Sequence, residues 1–189
     1  MRIVGGAWRG TALTSLGAGD ARAALRPTTD KTRESLFNLL LHGPYPAFDG
    51  VHVLDLFAGT GALGLEALSR GAATATFVDK GATAAGLIRR NITATGAAGR
   101  ATLIRCDATR LGANGAPPAA LVLLDPPYGS GLGTPALIAA RQGGWIVDGA
   151  TVVWEDDAPA DPPAGFALLD RRRYGGTHLN FLSTLPKSL

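Results

Sequence analysis

With a single cysteine and three histidines among 189 residues, neither an intrachain disulfide nor a zinc cluster can be built. Charged residues are sparse at 17%, too few for a solvating, disordered chain, while 46% hydrophobic residues supply a substantial core. No apolar run approaches the roughly 18 residues that a membrane span requires. The first 25 residues lack a continuous apolar segment and repeat arginine along their length, which argues against a secretory signal. Lysine is scarce as well: 15 of the 18 basic residues are arginine, in a chain rich in alanine and glycine, a pattern that also suggests biased base composition. These absences leave a soluble, cytosolic chain of one domain plus an appendage, at about 150 residues per domain.

The charge that is present is unevenly placed. Residues 1–33 carry Arg2, Arg9, Arg22, Arg26, Lys31 and Arg33 against Asp20 and Asp30, a balance of +4, whereas the remainder sums to −1. A basic arm on a near-neutral body suits a polyanionic partner, although such an arm is also compatible with plain solvated surface.

Residues 1–25 are rich in glycine and alanine with short apolar stretches, consistent with a small hairpin or arm. Arg26-Pro27-Thr28-Thr29-Asp30 is a helix-start pattern, and Lys31 to Leu41 fits an amphipathic helix that Gly43-Pro44 ends. From Val51 a strand-then-helix rhythm sets in. Strands are expected at Val51–Phe57, Thr74–Val78, Ala101–Arg105, Leu121–Leu124 and Thr151–Trp154, with helices to about Arg70, over Ala82–Thr95 and near Pro135–Gln142. Strands apolar on both faces, separated by helix-length segments, indicate a mostly parallel sheet covered by helices on both faces. Ala167–Tyr174, Gly175-Gly176 and His178–Ser183 add a terminal antiparallel hairpin. The expected organisation is a basic arm and helix over 1–45 and a nucleoside-binding α/β domain over 46–189.

The first of these strands runs into Gly59-Thr60-Gly61-Ala62-Leu63-Gly64, a G-x-G-x-x-G turn between strand and helix. Glycine permits the sharp turn and a close ligand approach. Asp79 ends the next strand, where a carboxylate can accept hydrogen bonds from both hydroxyls of a ribose. Nicotinamide enzymes and adenosylmethionine-dependent methyltransferases share this layout, and three features favour the second. Asp55 lies four residues before Gly59, where it can hold an ammonium group or order the loop; a carboxylate there would oppose a pyrophosphate but suits a sulfonium and an amino group. Cys106-Asp107-Ala108 places another acid where an adenine amino group could be read. The fourth strand ends in Asp125-Pro126-Pro127-Tyr128.

Two prolines directly after a buried strand fix the backbone and withhold N–H donors, so the loop presents carbonyl oxygens. With the Asp125 carboxylate they form an acceptor-rich pocket for an amine, and Tyr128 offers a face for a base to stack on. An exocyclic amine is a poor nucleophile because its lone pair is delocalised into the ring. Acceptors holding its hydrogens turn that lone pair outward, toward an electrophilic methyl.

RPTTDKTRESLFNLL, VLDLFAGTGALGLEALSRGA, FVDK and LLDPPYG, in this order, resemble the bacterial 16S rRNA guanine-N2 methyltransferase family (RsmD-like) over nearly the whole chain. The glycine loop and Asp-Pro-Pro-Tyr are shared by many amino-methyltransferases; the stretch from Arg26 to Asn38 is the family-specific part. The resemblance implies a class I, Rossmann-like methyltransferase fold, S-adenosyl-L-methionine as donor, and a guanine of 16S rRNA, free or in the assembling small subunit, as acceptor. The implied nucleotide is guanine 966. It implies a cofactor site of Asp55, Phe57, Ala58, Gly59, Thr60, Gly61, Gly64, Asp79, Lys80, Asp107 and Ala108. Asp125, Pro126, Pro127 and Tyr128 would hold the target base, and Arg9, Arg26, Thr28, Lys31 and Arg33 would lie near RNA. No metal and no membrane are implied.

A DNA adenine-N6 methyltransferase could use the same pocket, but the chain has no room for a base-reading domain. Cytosine-C5 chemistry needs a cysteine nucleophile, and Cys106 reads as core. Glutamine-directed protein methyltransferases place Asn where Asp125 stands. A non-catalytic RNA-binding scaffold would have no need of both cofactor acids and the whole Asp-Pro-Pro-Tyr loop. His42, His52 and His178 share no spacing and read as structural; Trp8, Trp145 and Trp154 read as packing. Arg171-Arg172-Arg173 reads as a solvated strand end, with contact to phosphate as the alternative.

Overall fold

The computed structural model of the chain describes residues 1–15 and 30–186. The expectations for Arg26 and Thr28, and the helix-start pattern leading to Asp30, lie outside these residues. Helix α1 spans Asp30–His42 and buries Arg33, Leu36, Phe37 and Leu40, the i, i+3, i+4, i+7 stripe of an amphipathic helix. Then come β1 (His52–Leu56), α2 (Ala62–Ser69), β2 (Thr74–Val78), α3 (Ala82–Thr95), β3 (Ala101–Ile104), a 3-10 turn at Ala108–Arg110, β4 (Ala119–Leu124), α4 (Gly133–Gln142), β5 (Ile146–Asp156), β6 (Phe166–Tyr174) and β7 (Thr177–Thr184). The strands form one sheet in the order β3-β2-β1-β4-β5-β7-β6. The first five strands are parallel, and β7 pairs antiparallel to both β5 and β6.

Strand alternation divides the interior into two apolar layers. Val53, Leu121 and Leu123 face one way, onto Leu36, Phe37, Leu65 and Ile88 from α1, α2 and α3. Leu54, Leu56, Val122 and Leu124 face the other way, onto Ala136, Leu137 and Ala140 of α4. Burial on both faces accounts for the near-continuous apolar run of β1 and β4. The sheet order reverses at β1, with β2 on one side and β4 on the other, and ligands of open α/β sheets bind at the crevice outside such a switch point.

The strand at Thr151–Trp154 proves longer. β5 starts at Ile146, opposite Ala119, and its register with β4 then jumps to Thr151 opposite Leu121. Gly149, with φ of +73°, carries the excursion, and Asp148 within it is ion-paired to Arg141. The local Asp-Gly signal is that of a turn, but the strand resumes beyond it.

The N-terminal residues close a small antiparallel hairpin, in which the Ile3 N–H donates to Thr11 and the Leu13 N–H to Met1. It sits on α2: Ser69 Oγ donates to the Gly5 carbonyl at 2.6 Å and accepts from the Trp8 N–H at 2.9 Å. Gly6 is required at this seat, since a Cβ there would lie 1.9 Å from the Ser69 carbonyl oxygen. Sheet, α1 and hairpin together bury every residue of α2, Glu66 included. Glu66 is fully buried, and its Oε1 accepts from Arg70 Nε at 2.7 Å while Oε2 accepts from the Val4 N–H at 2.8 Å.

Arg33 completes this cluster, which corrects its expected place near RNA. Only 1% exposed, it lies 3.6 Å from Glu66 Oε2, donates to Asp30 at 2.8 Å and also donates to the Arg2 carbonyl. A buried carboxylate requires buried cations, and Arg33 is one of the two that serve Glu66. Its guanidinium binds protein, not phosphate.

Candidate active site

The loop after β1 is built from unusual backbone. Phe57 (φ +58°), Gly59 (+57°) and Gly61 (+77°) all adopt left-handed conformations within five residues, so the chain reverses abruptly before α2. Asp55, 1% exposed, ties strand to helix: its Oδ2 accepts the Gly64 N–H at 2.9 Å. Gly64 must be glycine, since a Cβ would meet Phe77 at 2.4 Å and Asp55 Oδ2 at 3.0 Å. Burial pushes the Asp55 carboxyl up to about 7 against the opposing pull of the Gly64 bond, and the Asp79 charge adds to the rise.

Asp79 spans two turns. Oδ2 accepts the Gly59 N–H at 2.9 Å and Oδ1 accepts the Gly81 N–H at 2.8 Å. The acid expected to face a ribose thus also fixes the glycine turn beside it, and each oxygen retains a lone pair for a further donor. Ala58 is held by a 3.0 Å bond from its N–H to the Val78 carbonyl. Asp107 caps the 3-10 turn that begins at the buried Ala108, accepting from the Thr109 N–H at 3.0 Å and hydroxyl at 2.8 Å. The Thr109 N–H and hydroxyl, with a smaller contribution from Lys80 Nζ at 3.5 Å, hold its carboxyl below the usual range. Asp55 lies inside β1, one residue before its end, and Asp79 and Asp107 follow β2 and β3 on the same edge of the sheet.

The loop expected to hold the base adjoins this turn directly. The N–H of Asp125 donates to the Leu56 carbonyl at 3.4 Å, so Asp-Pro-Pro-Tyr leaves β4 immediately beside the end of β1. Pro126 is buried and Pro127 exposed, while Asp125 and Tyr128 are partly buried. The Asp125 carboxyl is raised well above its ordinary value, chiefly by burial and then by the charges of Glu155, Asp55 and Asp156. Tyr128 is pushed up to about 12, again mainly by burial.

Three participants were missed in the sequence. Glu155, 3% exposed, accepts from the Tyr128 hydroxyl at 3.2 Å, and Thr177 Oγ1 lies 3.3 Å from the same hydroxyl. Glu155 stands one residue past the expected end of β5, at the same carboxyl edge as the other acids, which was the available signal. Asn91 is fully buried within α3, donating to the Thr60 carbonyl at 2.8 Å and the Thr14 carbonyl at 3.0 Å, so it ties the glycine turn to the N-terminal segment. An asparagine inside a helix, where its propensity is poor, was the sign. Met1 Sδ also reaches Thr60 Oγ1 at 3.5 Å.

Arg9, Lys31 and Lys80 are exposed. His52 bonds Thr74 and Thr76 on the neighbouring strand, a structural role. Among the described residues no cluster of three metal-ligating side chains occurs, and no helix is long and apolar enough to cross a membrane.

A glycine turn and an Asp-Pro-Pro-Tyr loop, side by side at the switch point of a 3-2-1-4-5-7-6 sheet, define a Rossmann-like methyltransferase. Residues 1–183 match the family model described as "Conserved hypothetical protein 95", and the chain belongs to this RsmD-like family. Ribosomal RNA small subunit methyltransferase D of Escherichia coli K12 is 38% identical over 157 residues, 83% of this chain and 75% of that protein. The Haemophilus influenzae protein of the same name is 33% identical over 181 residues, covering 93% of this chain and 89% of its own. Among solved structures, "Putative methyltransferase yhhF from Escherichia coli" superposes with a TM-score of 0.80 at 34% identity, covering 99% of both chains.

Proposed function

We propose that this protein transfers a methyl group from S-adenosyl-L-methionine to the exocyclic N2 amine of one guanine in 16S rRNA, during small-subunit assembly in the cytoplasm. The observation that carries the reading is the 3.4 Å bond from Asp125 to Leu56, which joins the amine-holding loop to the strand that opens into the glycine turn. Cofactor and acceptor pockets are thereby adjacent. The names of the curated relatives supply the rRNA substrate, and the resemblance supplies guanine N2.

The residues present fit the donor. An added Cβ at Gly59 would meet nothing nearer than 3.9 Å, so the turn leaves room for the donor. Asp79 and Asp107 offer acceptors for a ribose and an adenine amine, while the buried Asp55 orders the turn through the Gly64 N–H. When bound, the donor supplies a methyl group on a cationic sulfur, an electrophile that needs no further activation. The protein contributes alignment, worth roughly 10⁵ M or more in effective concentration when two reactants are well oriented. The Asp125 carboxylate and the proline carbonyls accept hydrogen bonds from the two N2–H groups and so direct the lone pair. As the N–C bond forms and the donor's S–C bond breaks, the Asp125 carboxylate is the group placed to take the surplus N2 proton. Tyr128, its hydroxyl already tethered, offers its ring face to the base. Stacked guanine would be out of reach, so the nucleotide enters unstacked.

Labelled-methyl transfer to ribosomal particles from cells lacking the enzyme, followed by nucleoside analysis, tests the reading. N2-methylguanosine in the small-subunit RNA is the expected product. Label in N6-methyladenine, or none in RNA, overturns it.

A further inference from the structure

We propose that the tip of the β6–β7 hairpin is a second RNA contact, in which Arg173 binds a backbone phosphate next to the methylated base. This rests on the RNA methyltransferase reading and adds a contact surface to it.

The hairpin returns to the catalytic edge of the sheet. Tyr174 pairs with Thr177 across Gly175-Gly176, and Thr177 Oγ1 lies 3.3 Å from the Tyr128 hydroxyl. The turn therefore stands one side chain away from the loop that holds the base. That part of the rim is acidic, with Asp125, Glu155, Asp156 and Asp157 close in sequence or across the sheet. RNA carries a negative charge at every phosphate, and presenting a base to such a rim is unfavourable without a nearby cation.

The three consecutive arginines have separate tasks. Arg171 donates to Asn180 Oδ1 at 2.8 Å and to the Ala160 carbonyl at 2.7 Å, which staples the hairpin to the segment after β5. Arg172 donates to Asp170 Oδ2 at 2.7 Å and so neutralises that acid. Arg173 is exposed and engages only through Nε, which donates to the Gly175 carbonyl at 2.9 Å. Among the described residues its two terminal nitrogens have no partner. A guanidinium anchored at Nε, with the rest of its planar fork open, matches the bidentate geometry of a phosphate.

The position complements the N-terminal hairpin, which adjoins the glycine turn through Met1 and, via Asn91, through Thr14. Arg173 stands at the tip of the β6–β7 hairpin, whose Thr177 touches the Tyr128 hydroxyl of the acceptor loop.

Filter binding of 16S rRNA from cells lacking the enzyme, across a potassium chloride series, tests the contact with wild type, Arg173→Ala and Arg173→Lys. Arg173→Ala is expected to weaken binding about tenfold at low salt and to lower the slope of log affinity against log salt by roughly 0.7–0.9. Arg173→Lys keeps the charge and restores the slope. Equal slope and affinity in wild type and Arg173→Ala overturn the hairpin contact while leaving the methyltransferase reading intact. A wild-type protein that neither binds nor methylates the RNA overturns both.

Discussion

The Tyr128 hydroxyl donates to Glu155 Oε1 at 3.2 Å, linking the loop after β4 to the end of the neighbouring strand β5. The ring that would stack on the base is therefore oriented by the sheet itself and not by the loop alone. Tyr128→Phe keeps the ring and loses the tether. A hydrogen bond to a charged acceptor contributes about 1.5–3 kcal/mol, so kcat/KM for RNA should fall roughly 10- to 100-fold. Tyr128→Ala removes the stacking face as well and should cost a further 1–3 kcal/mol or so. Equal losses in steady-state assays of the two variants would show that the ring contributes no stacking.

Asp125→Ala should lower turnover by about 10²-fold or more, with adenosylmethionine affinity within roughly threefold of wild type, because the acceptor is lost but the glycine turn is not. The same residue sets a pH dependence. In the proposed role it accepts amine hydrogens best when ionised, and burial beside Glu155 raises its pKa well above the ordinary carboxylate value. Activity should thus be lost as pH falls through that raised pKa, earlier than for an exposed aspartate. A pH–rate profile flat down to the ordinary carboxylate range would remove Asp125 from this role.

Asp55 links the site to stability. Its carboxyl sits at about 7 in the fold against 3.8 ordinarily, so the fold binds the proton more tightly than the unfolded chain does. The associated stability is fully present below 3.8 and is lost as pH rises through about 7. At 1.36 kcal/mol per unit, ionising Asp55 costs the fold on the order of 4 kcal/mol at alkaline pH. Asp55→Asn keeps an acceptor for the Gly64 N–H. It should stabilise the protein by about 2–4 kcal/mol at pH 8, with little change at pH 4, in urea titrations.

Arg33 and the exposed cations should separate cleanly. Arg33→Ala leaves Glu66 under-compensated inside the protein, a loss of about 3–5 kcal/mol in stability, without altering the salt slope of RNA binding. Arg9→Ala and Lys31→Ala should change stability by no more than about 0.5 kcal/mol and make that slope shallower. A shallower slope for folded Arg33→Ala would contradict its burial.

Reading residues in order was enough for the elements that depend on local chain chemistry. The glycine turn after β1, the acid ending β2 and the Pro-Pro stiffening after β4 announce themselves because φ restriction and apolar runs are properties of neighbouring residues. The bounds of β2 and α3 followed from the same signals, and the final hairpin was legible from two strands around Gly175-Gly176.

Tertiary packing decided what depends on partners far along the chain. Arg33 lies in the basic N-terminal stretch, and only the arrival of Glu66 from α2, 33 residues away, turns it into a buried counter-ion. Asn91 became a brace for the glycine turn, and Glu155 and Thr177 became the anchors of Tyr128, through sheet register and helix seating. A side chain's charge and shape are written in the sequence. What that charge meets is set by which elements pack together, and a buried charge must be paired because the dry interior leaves it no water to turn to.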